Sequence, residues 1–127
     1  MDLVAIDPDR TAWLIEVKDY RRHRRTKSIE LSSEIAQKVH DTLAVLLAAQ
    51  TNASDDEEKR LAKKVARALR LRVVFHLEQP AKHSKLFPRA IDPASVKLKL
   101  RMLVKKIDAH PAVVEMSNMR DMAWDAA

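Results

Sequence analysis

The residues whose types could do chemistry are concentrated at the start of the chain, in the stretch MDLVAIDPDRTAWLIEVK. Asp2 and Glu16 supply two carboxylates, and Lys18 supplies an amine two positions after Glu16. Paired carboxylates suit a hard divalent cation such as Mg²⁺, which takes oxygen ligands and keeps several waters. A lysine beside that cation can orient an attacking water or stabilise charge on a phosphate. The same residues could form an ordinary carboxylate–lysine ion pair at a strand end, and their spacing does not decide between the two interpretations.

These side chains can meet only if the first part of the chain folds back on itself. Apolar residues of the branched and aromatic types that strands favour fill positions 3–6 and 13–17. The segment between them, Asp7-Pro8-Asp9-Arg10, has turn chemistry, because proline presets φ and aspartate can hydrogen-bond the turn backbone. The pattern therefore predicts a β-hairpin.

The turn type fixes which side chains share a face of this hairpin. A type I turn followed by one left-handed residue gives a three-residue loop at positions 8–10, and Arg10 then adopts the left-handed conformation. In this register Asp2 faces Glu16, and Lys18 lies on their face because side chains alternate along a strand. A slip of one residue would move Asp2 to the opposite face.

An acidic residue, a hairpin and the sequence Glu16-Val17-Lys18 on its second strand resemble the PD-(D/E)XK nuclease superfamily, the restriction-endonuclease-like fold. The resemblance implies that Asp2 and Glu16 bind Mg²⁺ or Mn²⁺, with the backbone carbonyl of Val17 as a further ligand. It implies that Lys18 is the catalytic lysine. The implied activity is that of a metal-dependent endonuclease, which hydrolyses phosphodiester bonds in DNA in preference to RNA without a covalent intermediate.

The family often places a glutamine or lysine in the helix that follows its Glu-x-Lys. Gln37 and Lys38 occupy that place here, which makes each a possible auxiliary site residue. Helix phase does not choose between them, and the simpler interpretation of each is a solvated surface position.

The family's core also opens with a helix and a first strand. Residues 1–127 are interpreted as one restriction-endonuclease-like domain that lacks these two elements. We therefore expect a homodimer, or a partner that supplies the missing elements. The same difference motivates an alternative function, which is a catalytically inactive nucleic-acid-binding or assembly module on the same fold.

Composition excludes several classes of protein. The net charge of +6 favours an acidic partner such as nucleic acid. The chain has no Cys, which excludes disulfides, a thiol nucleophile and Cys-ligated zinc, and no Gly, which excludes a P-loop and a dinucleotide fingerprint. There is no long apolar run and no signal peptide, so we expect a cytoplasmic protein with no membrane partner.

Basic residues are concentrated in two predicted loops. The loop at 19–28 directly follows Lys18 and also offers Tyr20 and His23 for stacking, and the loop at 78–92 leaves the same edge of the predicted sheet. A solvated charge run is the alternative interpretation of each. The residues predicted to contact a nucleic-acid backbone are Arg21, Arg22, Arg24, Arg25, Lys27, Lys82, Lys85 and Arg89.

Hydrophobic periodicity predicts the remaining elements. Helices are expected at 28–49, about 55–69 and 93–108, and strands at 71–77 and 112–116. Two helices between the hairpin and the next strand form a crossover, which makes those strands parallel. The predicted fold class is α/β, with a three-layer mixed sheet of about four strands, an opening antiparallel hairpin, and parallel strands joined by helical crossovers.

Overall fold

A computed structural model of the 127-residue chain describes residues 1–22, 25, 30–80, 91–119 and 122. Four strands form one sheet in the order β1-β2-β3-β4, with β1 antiparallel to β2 and the other pairs parallel. This confirms the α/β class and the mixed sheet. Within the described residues, no helix has the length and apolar character needed to cross a membrane. The elements are β1 (Leu3–Ile6), β2 (Thr11–Asp19), α1 (Leu31–Asn52), α2 (Asp56–Ala66), β3 (Arg70–Glu78), α3 (Pro93–Val104) and β4 (Ala112–Val114).

The opening hairpin has the predicted register. Ile6 pairs with Ala12, and the backbone N–H of Asp7 donates to the carbonyl of Thr11 at 3.1 Å. Arg10 has φ of 61°, which is the left-handed region. The local turn chemistry was therefore sufficient to fix which strand residues face each other.

The carboxylate of Asp7 holds this turn in place. It accepts hydrogen bonds from the backbone N–H of Asp9 at 2.9 Å and of Thr11 at 3.0 Å, and from the indole Nε1 of Trp13 at 2.9 Å. These bonds, the indole one first, hold the pKa of the Asp7 carboxyl below its usual value. A slip of one residue would break the bonds from Thr11 and Trp13, which lie on the other strand, so the side chain of Asp7 helps to define the register.

All three described helices pack on one face of the sheet. Leu14 of β2 and Phe75 of β3 lie in one cluster with Ile35 of α1 and Leu100 of α3, and none of the four exposes any surface. Helix α2 covers the hairpin end of the same face through Ala62. Burial of these apolar side chains is the main favourable term in folding, at about 1.5–3 kcal/mol for each large one.

The other face of the sheet is covered differently. Trp13 and Ile15 are buried there with Met119 and Met122 packed against them. In the described part of the chain, this C-terminal segment takes the place of a helical layer on that side. Val17 lies on the same face beyond this cover and is 44% exposed.

Helix α1 differs from its predicted bounds at both ends. It begins at Leu31, and the predicted first residue of the helix, Ser28, lies outside the described residues. Glu30 occupies the cap position without a side-chain cap bond, and its carboxylate lies 2.9 Å from the Nζ of Lys99. The helix continues to Asn52 because neither Gly nor Pro interrupts it.

Helix α3 begins as predicted but ends earlier. Asp92 caps it, with its carboxylate accepting from the backbone N–H of Ala94 at 3.1 Å. It ends at Val104 rather than near 108. The chain turns there because the buried Asp108 accepts from the backbone N–H of Val73 at 2.8 Å, which ties the helix end to β3.

The strained position in the hairpin gives a test of this register. Arg10→Gly should have a free energy of unfolding about 1 kcal/mol higher than Arg10→Ala, because both lose the guanidinium bond to the carbonyl of Arg67 and only alanine keeps the left-handed strain. Urea denaturation measures the difference. The exposed Ala44 in α1 is the control, where Ala44→Gly should lower the free energy of unfolding by about 1 kcal/mol. A hairpin in which alanine is the better residue at position 10 would contradict the register.

Candidate functional site at the carboxyl edge of the sheet

The parallel pairing of β2 and β3 brings several chain segments to one edge. Lys18 lies opposite Leu77 and Asp19 opposite Glu78, so both strands end at the same edge. Open α/β sheets bind ligands outside the carboxyl ends of their strands. The first turns of α1 lie over this edge and add the side chain of Glu34.

Glu16 is the most buried charged residue here. Its exposed fraction is 1%. Its Oε1 accepts a hydrogen bond from the Nζ of Lys38 at 2.5 Å and lies 3.6 Å from the Nζ of Lys18. Its Oε2 accepts from the backbone N–H of Asp2 at 3.1 Å. A buried carboxylate is costly unless it is paired, and here both of its oxygens have partners.

Glu34 extends this arrangement toward the basic segment. Its Oε1 lies 3.8 Å from the Nζ of Lys18, and its Oε2 lies 2.6 Å from Nη1 of Arg25. The guanidinium of Arg25 also donates to the hydroxyl of Tyr20 at 3.2 Å. The result is a chain of alternating charges, which we call the ion-pair network and which consists of Lys38, Glu16, Lys18, Glu34 and Arg25.

Asp2 lies beside this network, as the hairpin register predicted. Its Oδ2 accepts from the backbone N–H of Val17 at 2.8 Å, and the N-terminal amine of Met1 donates to Thr42 Oγ1 at 2.8 Å, which holds the start of the chain against α1. The structure therefore brings Asp2, Glu16 and Lys18 together. Their catalytic roles, and a metal-binding role for the carbonyl of Val17, stay predictions.

Gln37 and Lys38, the two possible auxiliary residues early in α1, differ in their exposure and contacts. Gln37 is exposed, in agreement with the solvated interpretation. The side chain of Lys38 is 35% exposed, so the solvated interpretation describes it only in part, and its amine also donates to Glu16. The hydrogen bond with Glu16 raises the pKa of the Lys38 amine above its ordinary value. Lys38 is thus part of the site.

The carboxylate oxygens of this site are of the type that binds a divalent cation. Asp2 and Glu16 offer the carboxylates that Mg²⁺ prefers, but both oxygens of Glu16 and Oδ2 of Asp2 already accept hydrogen bonds from N–H groups and from the amine of Lys38. No group of three or more His, Cys, Asp or Glu side chains arranged to hold a metal occurs among the residues the structure describes. Binding of Mg²⁺ or Mn²⁺ therefore stays a prediction.

The basic segment after β2 is described in part. Arg21 donates from Nε and Nη2 to the two carboxylate oxygens of Asp19, at 3.0 and 2.7 Å. The side-chain hydrogen bond from Arg21 is the main cause that lowers the pKa of Asp19 to about 2. Arg22 is exposed and makes no ion pair with another described residue. The predicted contact residues outside the described ranges are Arg24, Lys27, Lys82, Lys85 and Arg89.

Sequence reasoning missed Glu34 as a member of the site. The available signal was the acid–base spacing of Glu34 and Lys38, which are four residues apart next to the buried positions Ile35 and Val39. This spacing puts both charges at the border of the buried face. Only the position of α1 over β2 shows that Lys38 reaches Glu16 and that Glu34 reaches Lys18.

The shared oxygen of Glu16 predicts a non-additive pair of substitutions. Lys18→Met and Lys38→Met should each lower the free energy of unfolding by about 1 kcal/mol, because the other lysine still neutralises the carboxylate. The double variant should lose about 4 kcal/mol, because Glu16 then has no cation while buried. Urea denaturation measures all three. Lys99→Met, at the exposed pair with Glu30, is the control and should change the free energy by less than about 0.5 kcal/mol. Simple additivity of the two substitutions would contradict the shared pairing.

The raised pKa of Lys38 predicts a dependence on alkaline pH. When the pKa of a group is higher in the folded chain than in the unfolded chain, its protonated form stabilises the fold. This stabilisation is fully present at any pH below the pKa in the unfolded chain, and it is lost as the pH rises through the pKa in the folded chain. The parent chain should therefore exceed Lys38→Met in stability at neutral pH, and the gap should narrow once the pH rises above 10.5. Denaturant midpoints from pH 7 upward measure the gap. A gap that does not change with pH would rule out the Lys38–Glu16 pairing as its source.

Comparison with known proteins gives one relative of this chain. The whole chain is similar to a segment of the cysteine--tRNA ligase of Neisseria meningitidis serogroup A / serotype 4A (strain DSM 15465 / Z2491), with 31% identity over an alignment of 146 residues. The chain spans 21% of the length of that protein. No family model matches the sequence, and no solved structure matches it.

This similarity contradicts the resemblance to the PD-(D/E)XK nuclease superfamily. That resemblance depends on a few residues of the hairpin, whereas the similarity to the ligase covers 100% of the chain. The prediction of a nuclease, and of an endonuclease in particular, was therefore wrong, and the preference for DNA over RNA has no support. The ion-pair network accounts for the same residues without a cleavage reaction, because a buried glutamate requires nearby cations.

Proposed function

We propose that this chain is an RNA-binding module, with tRNA as its ligand, and that it contacts RNA phosphates at the carboxyl edge of β2 and β3. The observation that carries the proposal is the similarity of the whole chain to part of an enzyme named for its action on tRNA. The net charge of +6 fits a polyanionic ligand. A cytoplasmic location follows from the same proposal.

The ion-pair network would present cations in fixed positions at this edge. The side chains of Lys18 and Lys38 are 22% and 35% exposed, so their amines reach the rim of the site. Glu16 and Glu34 hold the amines from beneath. A phosphate could accept hydrogen bonds from the outer side of such amines at a low entropic cost, because they are already ordered.

The arginines that follow β2 would supply the remaining charge. The guanidinium of Arg22 is exposed, and that of Arg21 is held by Asp19. Guanidinium groups bind phosphate oxygens in a bidentate manner, which lysine cannot reproduce. The predicted contacts in the rest of the two basic loops would extend this surface along the RNA.

Binding should depend on the phosphates more than on the bases. Tyr20, which was predicted to stack on bases, packs against the main core cluster, and its hydroxyl accepts from Arg25. It is therefore not a free stacking platform. Backbone binding of this type is tolerant of sequence and weakens steeply with salt.

The proposal concerns binding and not the ligase reaction. A chain with no Gly has no glycine-rich phosphate loop for a nucleotide. In an enzyme of the ligase kind, a module like this one would contribute to holding tRNA while the reaction takes place elsewhere.

The proposal predicts salt-dependent binding of tRNA. Fluorescence anisotropy with a labelled tRNA transcript should show affinity that falls with salt, and the double variant Arg21→Ala/Arg22→Ala should bind about tenfold more weakly. Its plot of log affinity against log salt should be shallower by about 1.5, because two fewer counterions are released. The matched control is Arg60→Ala/Lys63→Ala on the exposed face of α2, which should bind like the parent.

Two results would contradict this function. One is equal affinity for tRNA and for duplex DNA of similar length at every salt concentration, which would mark general attraction of a basic protein to polyanions. The other is a control variant on α2 that weakens tRNA binding as much as Arg21→Ala/Arg22→Ala does. Competition between the tRNA for cysteine and an unrelated tRNA would then measure whether this chain prefers the tRNA for cysteine.

A further inference from the structure

Helix α3 buries one face and leaves an unusual one exposed. Val96, Leu100 and Val104 are buried against the sheet and α1. On the outer face, Leu98 is 62% exposed and Met102 is 70% exposed. They are four residues apart, so they are neighbours on the helix surface. Single exposed apolar residues are common, but a continuous apolar strip with a polar rim is typical of an interaction site.

A shallow groove lies beside this strip, between α1 and α3. Its volume is about 160 Å³, and Leu103, which is 46% exposed, lies in its lining. The strip and the groove together form what we call the α3 face. The lining residues of the groove are His40, Met102, Leu103, Val104, Lys105, Lys106 and Ile107.

The segment that forms the α3 face carries basic residues and no acidic ones, although Glu30 lies beside one of its lysines. Between positions 93 and 107 there are five basic residues and no Asp or Glu. Lys99 pairs with Glu30 at 2.9 Å. The other four are exposed and make no ion pair with another described residue. They are Lys97, Arg101, Lys105 and Lys106.

The charge and the apolar surface of the α3 face together favour some binding partners over others. A symmetric contact between the α3 faces of two copies would bring the basic rims together, and like charges across an interface are unfavourable. RNA would use the basic rim, but it gains stacking from aromatic side chains and arginine, not from Leu98 and Met102. An acidic amphipathic helix uses both features, since its apolar residues at four-residue spacing fill the groove while its carboxylates meet the rim.

The charge and the spacing of the apolar residues on the α3 face therefore favour a polypeptide as the occupant. We propose that the α3 face docks an acidic amphipathic helix of a partner protein. This goes beyond the proposed RNA binding, which uses the carboxyl edge of the sheet.

A synthetic helix tests the docking directly. The probe is a fluorescent peptide of about 18 residues, long enough to be helical, with leucines at four-residue spacing on one face and glutamates elsewhere. The matched peptide has lysine in place of every glutamate. The full chain should bind the acidic peptide at least about tenfold more tightly than the basic one.

Variants on the α3 face separate its two contributions. Leu98→Ser/Met102→Ser should weaken binding of the acidic peptide by about tenfold, because the apolar anchors are lost. Arg101→Glu/Lys105→Glu should weaken it by a similar factor and strengthen binding of the basic peptide. All four positions are exposed, so the variants should unfold at the parent's denaturant midpoint. The controls, Val45→Ser/Leu47→Ser on α1 and Arg60→Glu/Lys63→Glu on α2, should stay within about twofold of the parent.

Three results would overturn the proposal. If the control variants weaken binding of the acidic peptide as much as the variants on the α3 face do, the attraction is unspecific. Self-association in sedimentation experiments that Leu98→Ser/Met102→Ser abolishes would make a second copy the occupant. Loss of tRNA binding in that variant would make the α3 face an RNA surface. If tRNA binding does not depend on Arg21 and Arg22, that result counts against the proposed function and leaves the peptide result unaffected.

Discussion

The carboxylate of Glu16 is the constraint on which much of this structure depends. It is buried within the sheet, and a buried unpaired charge would cost several kcal/mol. The fold must therefore bring cations and donors to one point from three directions. Lys18 comes from the same strand, Lys38 from α1, and the backbone N–H of Asp2 from the residue that precedes β1. Register, helix position and chain start are coupled through this one side chain.

The parts of this arrangement that local chemistry controls could be predicted from the sequence. The turn at Asp7 and the left-handed conformation of Arg10 set the hairpin register, and both depend on residues within a few positions of each other. The parallel pairing of β3 with β2 followed from the length of the intervening helical crossover. The cap at Asp92 likewise depends on its immediate neighbours.

The convergence of α1 on the strand could not be predicted in the same way. Whether Lys38 faces water or Glu16 depends on how α1 rotates about its axis, and packing of Ile35 and Val39 against β2 and β3 decides that rotation. The cover of the second sheet face by Met119 and Met122 is also a tertiary result, because that segment carries no strong periodicity. Side chains distant in sequence meet here only through the core.

The same charges explain why a short motif was misleading. An acid, a glutamate and a lysine at a strand end are what a metal-dependent site needs, but they are also what a buried glutamate needs for its own neutralisation. The two cases differ in what occupies the carboxylate oxygens, which a sequence does not reveal. In this structure the cations around Glu16 are held by internal carboxylates, whereas Arg22 and four basic residues of the α3 segment make no ion pair with another described residue. Those four are Lys97, Arg101, Lys105 and Lys106. Paired cations fix geometry with little net charge, and unpaired cations supply the long-range attraction that brings an anionic partner to the surface.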